Sequence, residues 1–151
     1  MQDFLVANGY PALFVLSFLA STLIPLGSEW LLVALVVAGF APLPVVLVAS
    51  GGNVLGACTS YAIGVWGSAF LTTKVLRMDE HDCARAERFF LRYGSWSLLL
   101  SWLPVIGDPL CLVAGMTRMA FGRFVLLVII GKAARYVAVA WAAVEGRQLL
   151  F

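Results

Sequence analysis

Four ionisable residues of this 151-residue chain, Glu29, Asp108, Lys132 and Arg135, stand far from any segment polar enough to be an aqueous loop. A charged side chain at the centre of a membrane helix costs roughly 2.5 to 3.5 kcal/mol, so such groups face a partner, a cavity or a pathway rather than lipid. Two carboxylates can accept and release protons, and a lysine with an arginine can hold an anionic headgroup. The same four residues can equally form two structural ion pairs, each acid neutralising one base. The two readings overlap, because a paired acid can still exchange a proton. Asn53 is a neutral candidate for the same path, and a helix-packing hydrogen bond accounts for it equally well.

The surrounding composition sets the class. Apolar residues make up 62% of the chain, with 10 basic and 8 acidic residues, and that charged share is half of the ~25% usual in soluble domains. Asp3 and Glu29 bracket 25 uncharged residues, and 44 more separate Glu29 from Lys74, far beyond the ~20 that span a bilayer as a helix. A multi-pass membrane protein follows, and a soluble domain is excluded. The net charge of +2 is small and scattered, unlike the basic stripe of a nucleic-acid binder. The length predicts one membrane domain over residues 1–151 with no attached globular domain. Residues 1–3 lack the Lys or Arg that precedes a signal segment, so the first apolar stretch belongs to the mature fold. Cys58, Cys83 and Cys111 are odd in number and lack a Cys-x-x-Cys spacing, which makes them packing residues rather than disulfide or zinc ligands. His81-Asp82-Cys83 is no metal cluster, since adjacent helical residues point in different directions. Neither metal nor cofactor is expected.

Residues 4–50 are almost continuously apolar, yet Pro25-Leu26-Gly27-Ser28-Glu29 cuts them in two. Arms of about 14 to 15 residues are too short to cross ~30 Å at 1.5 Å per residue. The spacing therefore predicts a re-entrant helical hairpin with arms over 11–24 and 29–40. Pro42 and Pro44 punctuate the chain again. Residues 45–66 then make one crossing, in which Gly51, Gly52, Gly56, Gly64 and Gly67 predict close helix packing. Nine of the 18 charged residues fall in 74–93. There Asp79 can cap a helix that Gly94 stops, with Glu80 and Asp82 in its first turn. Ala86, Phe89, Phe90 and Tyr93 share one face and Arg85, Arg88 and Arg92 another, the pattern of an amphipathic helix in the membrane interface. A solvated connector laced with charge pairs is the alternative. Residues 94–117 repeat the hairpin, broken at Pro104-Val105-Ile106-Gly107-Asp108-Pro109, with a second arm through Met116. Arg118 and Arg123 mark an interfacial turn, and residues 124–144 form a last crossing that carries Lys132 and Arg135. Arg147 and several tryptophans and tyrosines read as interface anchors, Trp102 and Tyr136 as core.

A shift of 79 residues superposes Pro25 on Pro104, Glu29 on Asp108 and Gly52-Asn53 on Gly131-Lys132. Internal repeats of this kind recur in transporters. The halves are repeat 1 at about 9–73, a charged connector at 74–93 and repeat 2 at about 94–147. If each half is a hairpin returning to its own side plus one crossing, the second half starts from the opposite face and the repeat is inverted. The fold class expected is thus an all-α membrane protein, an inverted repeat of two re-entrant hairpins plus transmembrane helices. The two tips then meet near the midplane, bringing Glu29 opposite Asp108. The excess of Lys and Arg puts the charged connector on the cytoplasmic side and both termini outside.

No enzyme is expected. An intramembrane aspartyl protease needs Gly-x-Gly-Asp, and Val105 stands where the first glycine should be. A membrane serine protease needs a histidine in a crossing segment, whereas His81 lies in the connector.

These breaks resemble those of the DedA family of membrane proteins, also called the SNARE-associated or VTT-domain family, and particularly its short YqaA-like branch. The resemblance covers most of the chain. It rests on Ser21-x3-Pro25-x-Gly27-Ser28-Glu29, Gly52-Asn53-x2-Gly56, Arg92-Tyr93-Gly94, Ser101-Trp102-Leu103-Pro104-x2-Gly107-Asp108-Pro109, Ala114-Gly115-x2-Arg118-Met119 and Gly131-Lys132-x2-Arg135-Tyr136. It implies a bacterial inner-membrane protein with two re-entrant hairpins and a role in moving lipids across the bilayer. Bacterial relatives are implicated in recycling undecaprenyl phosphate to the cytoplasmic leaflet, with proton coupling, and eukaryotic relatives scramble phospholipids. The family's first-hairpin acid maps onto Glu29. Its second-hairpin Arg-x2-Pro-x2-Arg pattern, aligned on Pro104, meets Ser101 and Gly107 instead, leaving Lys132 and Arg135 as substitutes. The extra C-terminal crossing of longer relatives is missing, so a homo-oligomer is expected to supply packing surface.

The leading expectation is a flippase or scramblase for an anionic phospholipid or undecaprenyl phosphate. Glu29 and Asp108 handle protons or gate the path, and Asn53 lines it. Lys132, Arg135 and the half-helix N-termini after Gly27 and Gly107 hold phosphate. The alternatives are a proton-coupled carrier or channel for a small soluble ion or drug, and a non-transporting membrane assembly factor.

Overall fold

The computed structural model describes residues 2–22, 27–67, 80–103 and 106–150. Its elements are α1 (Gln2–Thr22), α2 (Gly27–Val37), α3 (Pro42–Trp66), α4 (Glu80–Tyr93), a 3₁₀ helix (Gly94–Trp102), α5 (Gly107–Met116) and α6 (Phe121–Leu150). No strand occurs among the described residues. Among the described residues two helices, α3 and α6, are long and apolar enough to cross a bilayer.

Local chemistry sets most of these bounds. Pro42 and Pro44 occupy the first turn of α3 behind an extended Ala41, where a missing N–H costs nothing. The crossing therefore starts at 42 rather than 45. Gly94 stops α4 with φ +67°, a left-handed turn that favours glycine. The expected cap Asp79 and the breaks Pro25 and Pro104 lie outside the described residues.

Helix α2 spans Gly27–Val37 against the expected arm of 29–40, and three further elements differ from expectation. The first arm does not begin near Pro11, because α1 runs through that proline from Gln2. The bond forfeited is the one to the carbonyl of Ala7, an exposed residue whose carbonyl water or headgroups can satisfy. The first arm of the second hairpin is a 3₁₀ helix, so at about 2.0 Å per residue its nine residues reach farther than an α-turn of equal length. The last crossing starts at Phe121 and continues to Leu150, beyond the expected 124–144.

Packing between helices inside lipid gains little from the hydrophobic effect and depends on close contact. A Cβ on Gly52 would stand 2.5 Å from the Phe14 carbonyl oxygen, on Gly56 2.8 Å from that of Phe18, and on Gly64 2.2 Å from that of Leu112. These three glycines thus let α3 press against α1 and α5, as their spacing predicts. Gly51 and Gly67 do not: nothing lies within 4 Å of a Cβ at either, and Gly67 instead caps α3 with φ +67°.

Helix α3 packs along α1 of its own half and α5 of the other. Reciprocally, α6 packs along the 3₁₀ helix of its own half and α2 of the other. The outer ends are distinct. Tyr10 of α1 meets Phe40 just past α2, ring centroids 5.5 Å apart, beside the C-terminal end of α6. At the opposite end Tyr61 of α3 stacks on Phe124 at 4.6 Å and donates its hydroxyl to the Met119 carbonyl.

Two large apolar clusters result, with a small third of Ile63 and Leu112 between α3 and α5. One joins Leu13, Leu32, Leu35, Val45, Ala49 and Ala140; the other joins Ala57, Leu98, Leu110, Cys111, Phe124 and Val128. Between them α3 carries Asn53 and α6 carries Lys132. The apolar face of α4 docks on the second cluster through the fully buried Ala86, with Phe89 and Phe90 half-buried and Arg85, Arg88 and Arg92 exposed. Tyr93 is exposed and stacks on Phe89 at 4.6 Å.

Candidate functional site

Each break in the chain delivers one acid to the polar layer. Glu29 lies in the first turn of α2, which starts at Gly27, and Asp108 in the first turn of α5, where the dipole of a helix N-terminus favours negative charge. Both bases come from α6, three residues apart and so on one face. Asn53, the α3 counterpart of Lys132 under the 79-residue shift, faces them.

Lys132 is the centre of the layer. Its side chain is 5% exposed and lies 3.1 Å from Asp108 Oδ1. Its three N–H donors are all used, on Asp108, on Ser21 Oγ at 3.2 Å and on Asn53 Oδ1. Ser21 in turn donates to Asp108 Oδ1 at 3.2 Å. The Asn53 amide donates to the Ser17 carbonyl at 3.1 Å and to Tyr136 Oη at 3.0 Å, and Tyr136 Oη lies 2.9 Å from Ser28 Oγ. One hydrogen-bonded network therefore ties α1, α2, α3, α5 and α6 together. Such a network is strong when every member is satisfied and costly when one is removed.

Glu29 and Arg135 form a second pair beside it. Arg135 also donates to the Trp102 carbonyl at 3.0 Å, so it links the start of α2 to the end of the 3₁₀ helix. The Glu29 and Arg135 side chains are 19% and 22% exposed, which makes this pair the more open edge of the layer. All five candidates, with Ser28 and Ser101, line one pocket of about 10 Å³, the size of a single water site. Ser101 Oγ, buried on its wall, has no hydrogen-bond partner among the described residues.

The breaks have different roles. A Cβ on Gly107 would stand 2.2 Å from the Ser101 carbonyl oxygen, so glycine is needed for the start of α5 to lie against the end of the 3₁₀ helix. Pro109 is buried in the first turn of α5. The expectation that α5 presents free N–H groups to phosphate is not met. Gly107 N–H donates to the Leu103 carbonyl at 2.9 Å and Leu110 N–H to that of Ile106 at 3.0 Å, while Pro109 has none. The cationic side chains are therefore the principal anion-attracting groups of the layer.

Sequence reasoning missed Ser21, Ser28 and Ser101 as site residues, and took Tyr136 and Trp102 as core. Tyr136 is buried, but its hydroxyl belongs to the network. Trp102 is 43% exposed and contributes its backbone. The available signal was position: Ser21 and Ser28 flank the first break, and Tyr136 lies one turn beyond Lys132.

A VTT domain family model matches residues 24–143, which includes every residue of the polar layer except Ser17 and Ser21. The chain is 44% identical over 136 residues to the Inner membrane protein YqaA of Escherichia coli, covering 89% of this chain and 91% of that one. It is 38% identical over 144 residues to an "Uncharacterized protein" of Haemophilus influenzae, covering 90% and 88%. No solved structure matches the chain.

Proposed function

The chain belongs to the VTT-domain family, and from that premise we propose that it moves an anionic phospholipid between leaflets of a bacterial inner membrane. The location follows the Escherichia coli relative, an inner membrane protein, and the two crossing-length helices. An inverted repeat of re-entrant hairpins is supported by the reciprocal packing of α3 and α6. It is supported too by Tyr10 and Phe40, which join the outer end of the first pair of arms, and by Tyr61, which holds the Met119 carbonyl just past α5 at the opposite end of the bundle.

The observation that carries the proposal is the polar layer where α2 and α5 begin, balanced in formal charge. Two acids and two bases sit there, paired, in a pocket the size of one water. A phosphate group is several times larger, so the tips must part for a headgroup to pass. Arg135 and then Lys132 would exchange their carboxylates for phosphate oxygens, a match for charge-assisted hydrogen bonds. An unpaired buried charge is costly, so each negative charge that enters requires a proton on Glu29 or Asp108. Coupling to protons follows from charge balance alone. The acyl tails stay in the bilayer, and the buried hydroxyl of Ser101 is placed to bind a water along the path.

The single-water size of the pocket also favours a second reading, a proton-coupled carrier or channel for a small soluble ion. Reconstitution separates the two. Proteoliposomes should flip a labelled anionic phospholipid faster than protein-free vesicles. Glu29→Gln should slow flipping by about tenfold or more, a barrier rise of ~1.4 kcal/mol, because the amide cannot take up and release the proton that balances each entering negative charge. Equal rates with and without protein reject lipid transport, and uptake of a soluble anion without lipid movement establishes the second reading.

A further inference from the structure

Away from the polar layer, α3 and α6 form a groove on the outside of the bundle. Its apolar part, about 310 Å³, is lined by Leu43, Val46, Val137, Ala140, Trp141 and Val144. Through Pro42 and Val144 it joins a second cavity of about 390 Å³ that ends at Arg147 and Gln148. Val137, Trp141, Val144 and Gln148 recur at three- and four-residue intervals, so they line one face of α6. The walls are exposed where a lipid would touch them: Trp141 is 68% and Leu43 69% exposed.

The groove is apolar at one end and cationic at the other, and its length is specific. From Val137 to Arg147 is ten residues, about 15 Å of helix, which is half of the ~30 Å hydrocarbon core. Arg135 in the polar layer lies twelve residues before Arg147, about 18 Å away, so Arg147 stands at a membrane interface when the layer is near the midplane. No carboxylate among the described residues pairs with Arg147. Its guanidinium reaches back toward the turn after α2, within 3.9 Å of where a Cβ on Gly39 would stand.

We propose that this groove is a docking site for one anionic phospholipid, with an acyl chain along Val137, Trp141 and Val144 and the phosphate on Arg147 and Gln148. The lipid belongs to the leaflet at the C-terminal end of α6, opposite to the one that holds Arg118 and Arg123. The site is separate from the polar layer and stands whether or not the layer conducts lipid.

Trp141 is the natural probe, because bromine on an acyl chain quenches a tryptophan it touches. The protein with Trp30, Trp66, Trp96 and Trp102 replaced by Phe is reconstituted in bilayers containing brominated-chain phosphatidylglycerol or brominated-chain phosphatidylcholine. The expected result is a preference of about fivefold for the anionic lipid, the ratio set by one basic residue at the membrane surface. Arg147→Gln should abolish that preference and Arg147→Lys should keep it. Equal quenching by both lipids, or an Arg147→Gln protein that keeps the preference, overturns the proposal. So does quenching by neither lipid, which would mean that a second copy of the chain covers the groove. Should the four-Phe protein fail to fold, native mass spectrometry of the unmodified chain reads the same site. Retained phosphatidylglycerol should then be lost in Arg147→Gln, and equal retention overturns the proposal.

Discussion

Lys132→Met should destabilise the protein by about 3 to 5 kcal/mol, the cost of leaving a buried partner charge uncompensated. The loss reflects what the ammonium does. It is the sole cation on Asp108 among the described residues and the donor to Ser21 and Asn53. Removing the charge on the other side should undo most of it. In Lys132→Met with Asp108→Asn, the amide oxygen can still accept from Ser21, while the Asn53 carbonyl and the Ser21 hydroxyl both lose the lysine as donor, a penalty of about 1 to 3 kcal/mol for a group left unsatisfied. Equilibrium unfolding in mixed micelles reads both values. A stable double variant that still fails to flip lipid assigns the pair to transport. A double variant that flips at the parental rate reduces it to a structural tie. If the single variant is as stable as the parent, the central place given to Lys132 is wrong.

Gly115→Ala should be nearly as damaging for a different reason. A Cβ there would stand 2.0 Å from the Tyr61 carbonyl oxygen, and one on Gly64 2.2 Å from that of Leu112, so α3 and α5 touch backbone to backbone. The obstacle is main chain rather than the end of a flexible side chain, so the helices must separate. The expected loss is at the upper end of the ~1 to 3 kcal/mol for overpacking. Asp108 lies two turns up the same helix, and its contact with Lys132 should loosen with it. Gly51→Ala and Gly122→Ala are the controls. Nothing lies within 4 Å of a Cβ at either, and better helix propensity should make them neutral or stabilising by up to about 1 kcal/mol. Similar losses at all three positions would mean that close contact of α3 and α5 is not what the glycine supplies.

The breaks were legible because a proline and an acid four residues on recur at one offset, with a glycine between them in each. α1 ends at Thr22 and α2 starts at Gly27, and the 3₁₀ helix ends at Trp102 and α5 starts at Gly107. The offset also aligned Asn53 with Lys132, which touch each other across the layer. Equivalent positions of two halves meet where a pseudo-two-fold axis would pass, and the sequence holds no other trace of that contact. Which acid takes which base was not legible. Lys132 and Arg135 differ by one helical turn, and the depth of each hairpin tip decides whether Asp108 or Glu29 is within reach. The serines escaped notice because a small hydroxyl residue in a membrane helix is as often packing as function. The 3₁₀ geometry of Gly94–Trp102 was invisible, since leucine and serine suit either helix and tertiary contacts with α6 and α5 select the tighter winding.

Side-specific labelling tests the arrangement on which the account depends. Single cysteines are placed at Ala41, Gln148, His81 and Thr117, all exposed, in a chain with Cys58, Cys83 and Cys111 replaced, and are exposed to a membrane-impermeant maleimide on intact cells. The account predicts that Ala41→Cys and Gln148→Cys react at once, and that His81→Cys and Thr117→Cys react only after permeabilisation. Reaction of Ala41→Cys and Thr117→Cys from the same side would contradict it, because the two hairpins would then enter from one face and their tips could not meet as an inverted pair.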